Sequence, residues 1–152
     1  MLKRTFNYED YNGKQREETW YFSLDKAELM KMELGTWGGL DQTMKRLMRE
    51  EAPDKIVDMF DNIILSAVGE KSPDGRKFIK NEEIRTDFKQ TPAYSELFFE
   101  LVTDPAKANA FIKACLPSDV ATAITKKEEE EKAAEAEAHQ LTLVDMADAA
   151  VK

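Results

Sequence analysis

The chain has 152 residues, room for one domain with a buried core or for one domain plus a tail. Its 22 basic and 30 acidic residues leave a net charge of −8, which disfavours nucleic-acid phosphates and anionic membrane surfaces, both of which select a local excess of Lys and Arg. The densest basic cluster, Lys45-Arg46 with Arg49, is diluted by Glu50 and Glu51, and no stretch approaches the roughly 18–20 apolar residues of a membrane helix, so neither nucleic acid nor membrane is an expected partner.

The first 24 residues read as a β-hairpin. Phe6, Tyr8 and Tyr11 precede the turn signal Asn12-Gly13, and Thr19, Trp20, Tyr21 and Phe22 follow it. Asn-Gly takes the positive φ angles of a tight turn, and the aromatic and β-branched residues favour strand. An isolated hairpin is marginal in water, so this one is expected to pack on helices or join further strands. From residue 25 the periodicity changes to helical. Asp25 with Glu28 resembles a capping box, opening a helix that Gly35 closes. Gly38-Gly39 breaks the chain, and Leu40, Met44, Leu47 and Met48 mark the next helix. Pro53 suits the first turn of a third, in which Ile56, Phe60, Ile63, Ile64 and Ala67 share one face.

Gly69 is read as the end of that helix, and Ser72-Pro73-Asp74-Gly75 as a turn. Asn81 is the expected cap of a helix through Phe88. Thr91-Pro92 and Asp104-Pro105 each open another, with an N-cap residue followed by proline at the first helical position. Pro117 closes the folded part. The expected fold class is therefore mainly α: an N-terminal β-hairpin, a bundle of five or six short helices over residues 1–117, and an acidic tail over 118–152.

Residues 118–152 hold nine acids and four bases, a net of −5, which leaves −3 on the rest. Lys126 to His139 is almost entirely Lys, Glu and Ala. A segment with so little to bury is expected to be mobile, or helical only while solvated. Leu143, Met146, Ala147, Ala150 and Val151 match one amphipathic face, with Thr142 and Asp145 as its weak cap. That short helix spans 142–151.

Catalytic chemistry has no visible seat. The single His139 lies in the charged tail without convergent partners, which base catalysis and metal binding both need. The single Cys115 reads as a buried structural residue and forms no internal disulfide, which fits a reducing compartment, as does an N-terminus without a signal-peptide core. Gly35, Gly38 and Gly39 follow no strand and lead to no Gly-Lys-Ser/Thr, so they form no phosphate cradle. No enzyme, cofactor or metal site is expected.

Surface for binding remains. Met30, Met32, Met44, Met48 and Met59 either fill core gaps or line an adaptable groove. In the helix after Pro92, Tyr94, Leu97, Phe98 and Leu101 form one stripe while Phe99 points away from it. Such a helix is either fully buried or in contact with another chain. The candidate partner-binding residues are Met44, Met48, Tyr94, Phe98, Phe99, Phe111, Leu143 and Met146.

The stretch Gly69-Glu70-Lys71-Ser72-Pro73-Asp74-Gly75-Arg76-Lys77-Phe78-Ile79-Lys80 leads into Asn81-Glu82-Glu83-Ile84. Phe88, Gln90-Thr91, the run Ala93 to Leu101, and Phe111-Ile112 before Pro117 complete the pattern. With Trp20-Tyr21-Phe22-Ser23-Leu24 and the helix carrying Glu28-Leu29 and Met32-Glu33-Leu34, it resembles the tail assembly chaperones of long-tailed bacteriophages and prophages of Gram-positive hosts, over about residues 18–117. The resemblance implies a protein that coats the long, helical tape measure protein, keeps it soluble while tail tube subunits polymerise around it, and is displaced from the finished virion. It also implies self-association, a cytoplasmic location in the host, and recruitment of the tail tube protein through a longer product of ribosomal frameshifting. Two other readings compete: a structural minor tail or joining protein of the virion, and a small helical regulator with one protein partner. For the tail, a solubilising brush competes with a tether whose terminal helix docks on the next copy; the brush is preferred.

Overall fold

The computed structural model describes residues 1–34, 45–46 and 49–151. Two compact units divide the chain, Met1–Pro117 and Ser118–Lys152. In the first, strands β1 (Leu2–Glu9) and β2 (Gln15–Phe22) form the expected N-terminal hairpin. Its turn departs from expectation at Asn12, which does not take a positive φ. Gly13 alone takes the left-handed conformation (φ 79°), and its N–H donates to the Asp10 carbonyl at 3.0 Å. Asp10 organises the loop: its carboxylate accepts from the amides of Asn12 and Lys14, both at 2.9 Å, and from Arg16 Nε at 2.7 Å. The ionised carboxylate satisfies three donors at once, and the Arg16 guanidinium, followed by the Lys14 amide, holds it below the usual carboxylate range.

Helix α1 (Lys26–Leu34) starts at the expected capping box, in which the Glu28 N–H donates to Asp25 (2.8 Å) and the Asp25 N–H donates to Glu28 (3.0 Å). The Gly35 stop, the Gly38-Gly39 break and the helix of Leu40, Met44, Leu47 and Met48 lie outside the described residues. Helix α2 (Pro53–Ala67) has proline at its first position and buries Phe60, Ile63, Ile64 and Ala67.

After α2 the structure departs from expectation. Gly69 does not end the helix but sits in strand β3 (Val68–Lys71), which follows α2 without a loop. The Ser72–Gly75 turn joins it to a two-residue strand, β4 (Phe78–Ile79). Ser72 Oγ donates to Asp74 (2.6 Å) and accepts from the Lys77 N–H (3.0 Å), while Gly75 supplies a φ of 73°. β3 pairs with β2, giving a four-stranded antiparallel sheet in the order β1-β2-β3-β4. The hairpin thus finds both of its expected partners, helices and further strands.

Helices α3 (Glu82–Lys89), α4 (Pro92–Thr103) and α5 (Pro105–Cys115) complete the unit. Asn81 and Asp104 cap α3 and α5 as expected, accepting from Ile84 N (2.9 Å) and from Ala106 N and Lys107 N (3.0 and 3.3 Å). Thr91 caps differently: its hydroxyl donates back to the Phe88 carbonyl at 2.7 Å, closing α3 instead of satisfying the first amides of α4.

Alternation along the strands turns Phe6, Tyr8, Trp20, Phe22 and Val68 into the core. Phe88 of α3 is the hub, fully buried, with ring centroids at 6.3 Å from Phe6, 4.8 Å from Trp20, 5.5 Å from Phe22 and 5.8 Å from Tyr94. The second unit is one helix, α6 (Ser118–Val151). Of the two expected forms of this segment, mobile or helical, the structure takes the helical one. Ala, Glu and Lys are strong helix formers, and Lys127–Glu131 and Glu128–Lys132 fall at the supportive four-residue spacing. Thr142 caps nothing; inside this helix its hydroxyl donates to the Ala138 carbonyl at 3.0 Å.

Candidate interaction surface

Helix α4 separates its side chains by depth. Ala93, Leu97 and Leu101 are buried against the rest of the unit, Tyr94 and Phe98 are half-buried, and Ser95, Glu96, Phe99 and Thr103 are exposed. At 3.6 residues per turn, Phe99 falls opposite the buried stripe. It is 71% exposed, the most exposed phenylalanine among the described residues. Burying such a ring is worth roughly 1.5–3 kcal/mol, most of which the isolated chain forgoes at this position.

The half-buried pair beside it is held rigidly. The Tyr94 ring stacks on Phe98 at 5.9 Å with 28° between planes, and its hydroxyl donates to the Asp61 carboxylate of α2. Desolvation, and then the negative acceptor, push the phenol above its ordinary value, so it stays protonated as a donor. Asp61 also faces Lys89 Nζ of α3 at 3.5 Å. Three helices therefore converge on one carboxylate, and the stacked rings form a fixed shoulder. Glu100 does the same on the other flank, meeting Arg4 of β1 and Lys107 of α5 (3.9 Å).

The remaining sequence candidates scatter. Phe111 is a core residue, 4% exposed, with its ring 5.3 Å from Phe22 in an edge contact. The spacing of Ala108, Phe111 and Cys115, all buried, was the signal for this placement. Leu143 is on α6, 53% exposed, with Leu141 also exposed. Met44 and Met48 lie outside the described residues, as does the side chain of Met146. Of the other methionines, Met30 is exposed and Met59 half-buried. Sequence reasoning missed the exposed Val57 on α2; it follows the half-buried Ile56 and is turned about 100° from it around the helix, toward the margin of the buried stripe.

Cys115 is fully buried, and burial pushes its thiol up to about 12, so it is an unreactive packing residue at neutral pH. His139 is exposed on α6. No group of three or more His, Cys, Asp or Glu that could hold a metal occurs among the described residues. An open depression of about 470 Å³ between β2, β3 and α3 gathers Glu18, Glu70, Lys71 and Asp87 beside Trp20 and Tyr21. No described helix is long and apolar enough to cross a membrane.

Over residues 1–152 the sequence matches the family described as phage tail assembly chaperone. No curated protein and no solved structure matches it.

Proposed function

Because the chain belongs to the phage tail assembly chaperone family, we propose that it binds the apolar helical faces of a tape measure protein and keeps that protein soluble until tail tube subunits enclose it. In this reading several copies coat one tape measure in the host cytoplasm. A longer frameshift product recruits the tube protein, and the chaperone is absent from the finished virion. The role is assembly, with no substrate turned over.

The observation that carries the reading is the exposed Phe99 beside the braced Tyr94–Phe98 shoulder. A holding protein needs apolar contact of moderate strength, because it must release its client as the tube grows. One exposed ring on a rigid helix, repeated over many copies, supplies that through avidity while each contact stays weak. The net charge of −8 keeps the complex soluble.

The test is co-expression of a tagged tape measure protein with the wild-type chain and with Phe99→Glu. The substitution places a carboxylate where the ring meets the client; at least tenfold less chaperone is expected to copurify, with an unchanged circular dichroism spectrum. Equal recovery of both forms would remove Phe99 from the interface. Stoichiometric chaperone in purified virions would overturn the transient role and favour a structural part.

A further inference from the structure

Strand β1 is an outer strand of the sheet, and it lacks the proline and the bulge that commonly protect an edge. None of its eight residues is proline, and their register with β2 runs without interruption. Arg4, the one charge it turns toward the helices, is already held by Glu100.

The ladder phase shows which peptide groups face outward. Asp10 donates to the Lys14 carbonyl (2.8 Å) and accepts from the Gly13 N–H, so its peptide groups point toward β2. Ser23 donates to the Ala67 carbonyl (2.8 Å), so alternate residues of β2 point to β3 and the others, Phe22 included, to β1. Both facts put Leu2, Arg4, Phe6 and Tyr8 in the ladder with β2. The N–H and C=O groups of Lys3, Thr5, Asn7 and Glu9 therefore aim away from the sheet, and all four side chains are exposed.

We propose that this edge pairs antiparallel with the β1 edge of a second copy, about a two-fold axis at Phe6, joining two four-stranded sheets into one of eight. Charge complementarity selects both the occupant and the register. Centred on Phe6, the pairing sets Lys3 opposite Glu9 twice and Thr5 opposite Asn7 twice, so every outward peptide group meets a partner. Sliding by two residues sets Lys3 against Asn7, or Glu9 against Thr5, and loses both ion pairs. A two-fold interface must be self-complementary, and this strand is. The inference rests on the self-association in the proposed function and is independent of tape measure binding.

Sedimentation of the full chain over a concentration series tests it. Lys3→Glu and Glu9→Lys each create like-charge pairs and are expected to raise the dissociation constant at least tenfold with unchanged melting temperature. Mixing the two variants restores association, because both cross-strand pairs then join a carboxylate on one copy to an ammonium on the other. Thr5→Pro removes an N–H that β2 does not use and abolishes pairing. Oligomer mass indifferent to the charge variants, or no recovery on mixing, overturns the register. Thr5→Pro that lowers tape measure recovery but leaves the mass unchanged makes a foreign strand the occupant and overturns the second copy. A chain monomeric at every concentration removes self-association, while tape measure recovery by the wild type still decides the holding function separately.

Discussion

Gly69 is where the close approach of two strands depends on a missing methyl group. A Cβ there would lie 2.4 Å from Phe78 Cε1 and 2.7 Å from the Ile79 carbonyl oxygen, both inside van der Waals contact. The Phe78 ring covers the glycine, a pairing that recurs where strands must come close. Gly69→Ala forces β4 outward and is expected to cost about 1–3 kcal/mol, the usual range for overpacking; urea denaturation measures it. A second residue-scale effect is pH dependence. Burial raises the Cys115 thiol to about 12, and burial followed by the hydrogen bond to Glu18 raises the Tyr8 phenol to about 12. Both groups hold their protons more tightly folded than unfolded. Their contribution is complete below the unfolded values, roughly 8.5 and 10, and is lost as pH rises toward 12. Stability should fall with alkalinity by up to about 1.4 kcal/mol per pH unit for Cys115, and by only a fraction of that for Tyr8, whose phenol lies near solvent and is screened. Urea midpoints between pH 8 and 11 check the sign, and Cys115→Ala should shallow the decline that begins near pH 9.

At the scale of elements, legibility followed the chemistry of starts and stops. The capping box of α1, the Asn81 and Asp104 caps and the prolines opening α2, α4 and α5 were visible because each resolves the unpaired donors of a helix start locally: the caps accept from them, and proline has no N–H to leave unpaired. What escaped was fixed by distant partners. β3 and β4 are four and two residues long, too short to show alternation, and they exist because Gly69 and Val68 meet Tyr21 and Phe22 across the sheet. The Ser72–Gly75 turn, flanked by Val68 and Phe78, was the available hint. Side-chain exposure divided the same way. The exposure of Phe99 was legible because helical geometry alone sets it opposite Leu97 and Leu101; the spacing of Phe111 with Ala108 and Cys115 signalled its burial, while its ring contact with Phe22, 89 positions earlier, could be seen only in the fold.

Taken whole, the molecule keeps its buried apolar residues in one unit: they run from Phe6 to Leu116, and α6 contributes none among its described side chains. A chain truncated after Pro117 should therefore unfold cooperatively within about 2 °C of the full protein, since thermal stability tracks the buried core. The truncation removes −5 of the −8 charge and exposed Leu141 and Leu143 together, which sets the two uses of the tail against each other. A charged brush predicts lower solubility near neutral pH with the number of copies per particle unchanged. A tether predicts a smaller assembly, because the docking helix is gone. Pairing through β1 lies entirely within the retained unit, so association should survive truncation and remain sensitive to Lys3→Glu. Sedimentation of the truncated chain with and without that substitution separates the cases: a truncated form that stays associated and then dissociates on charge reversal assigns association to the sheet edge and leaves solvation to the tail.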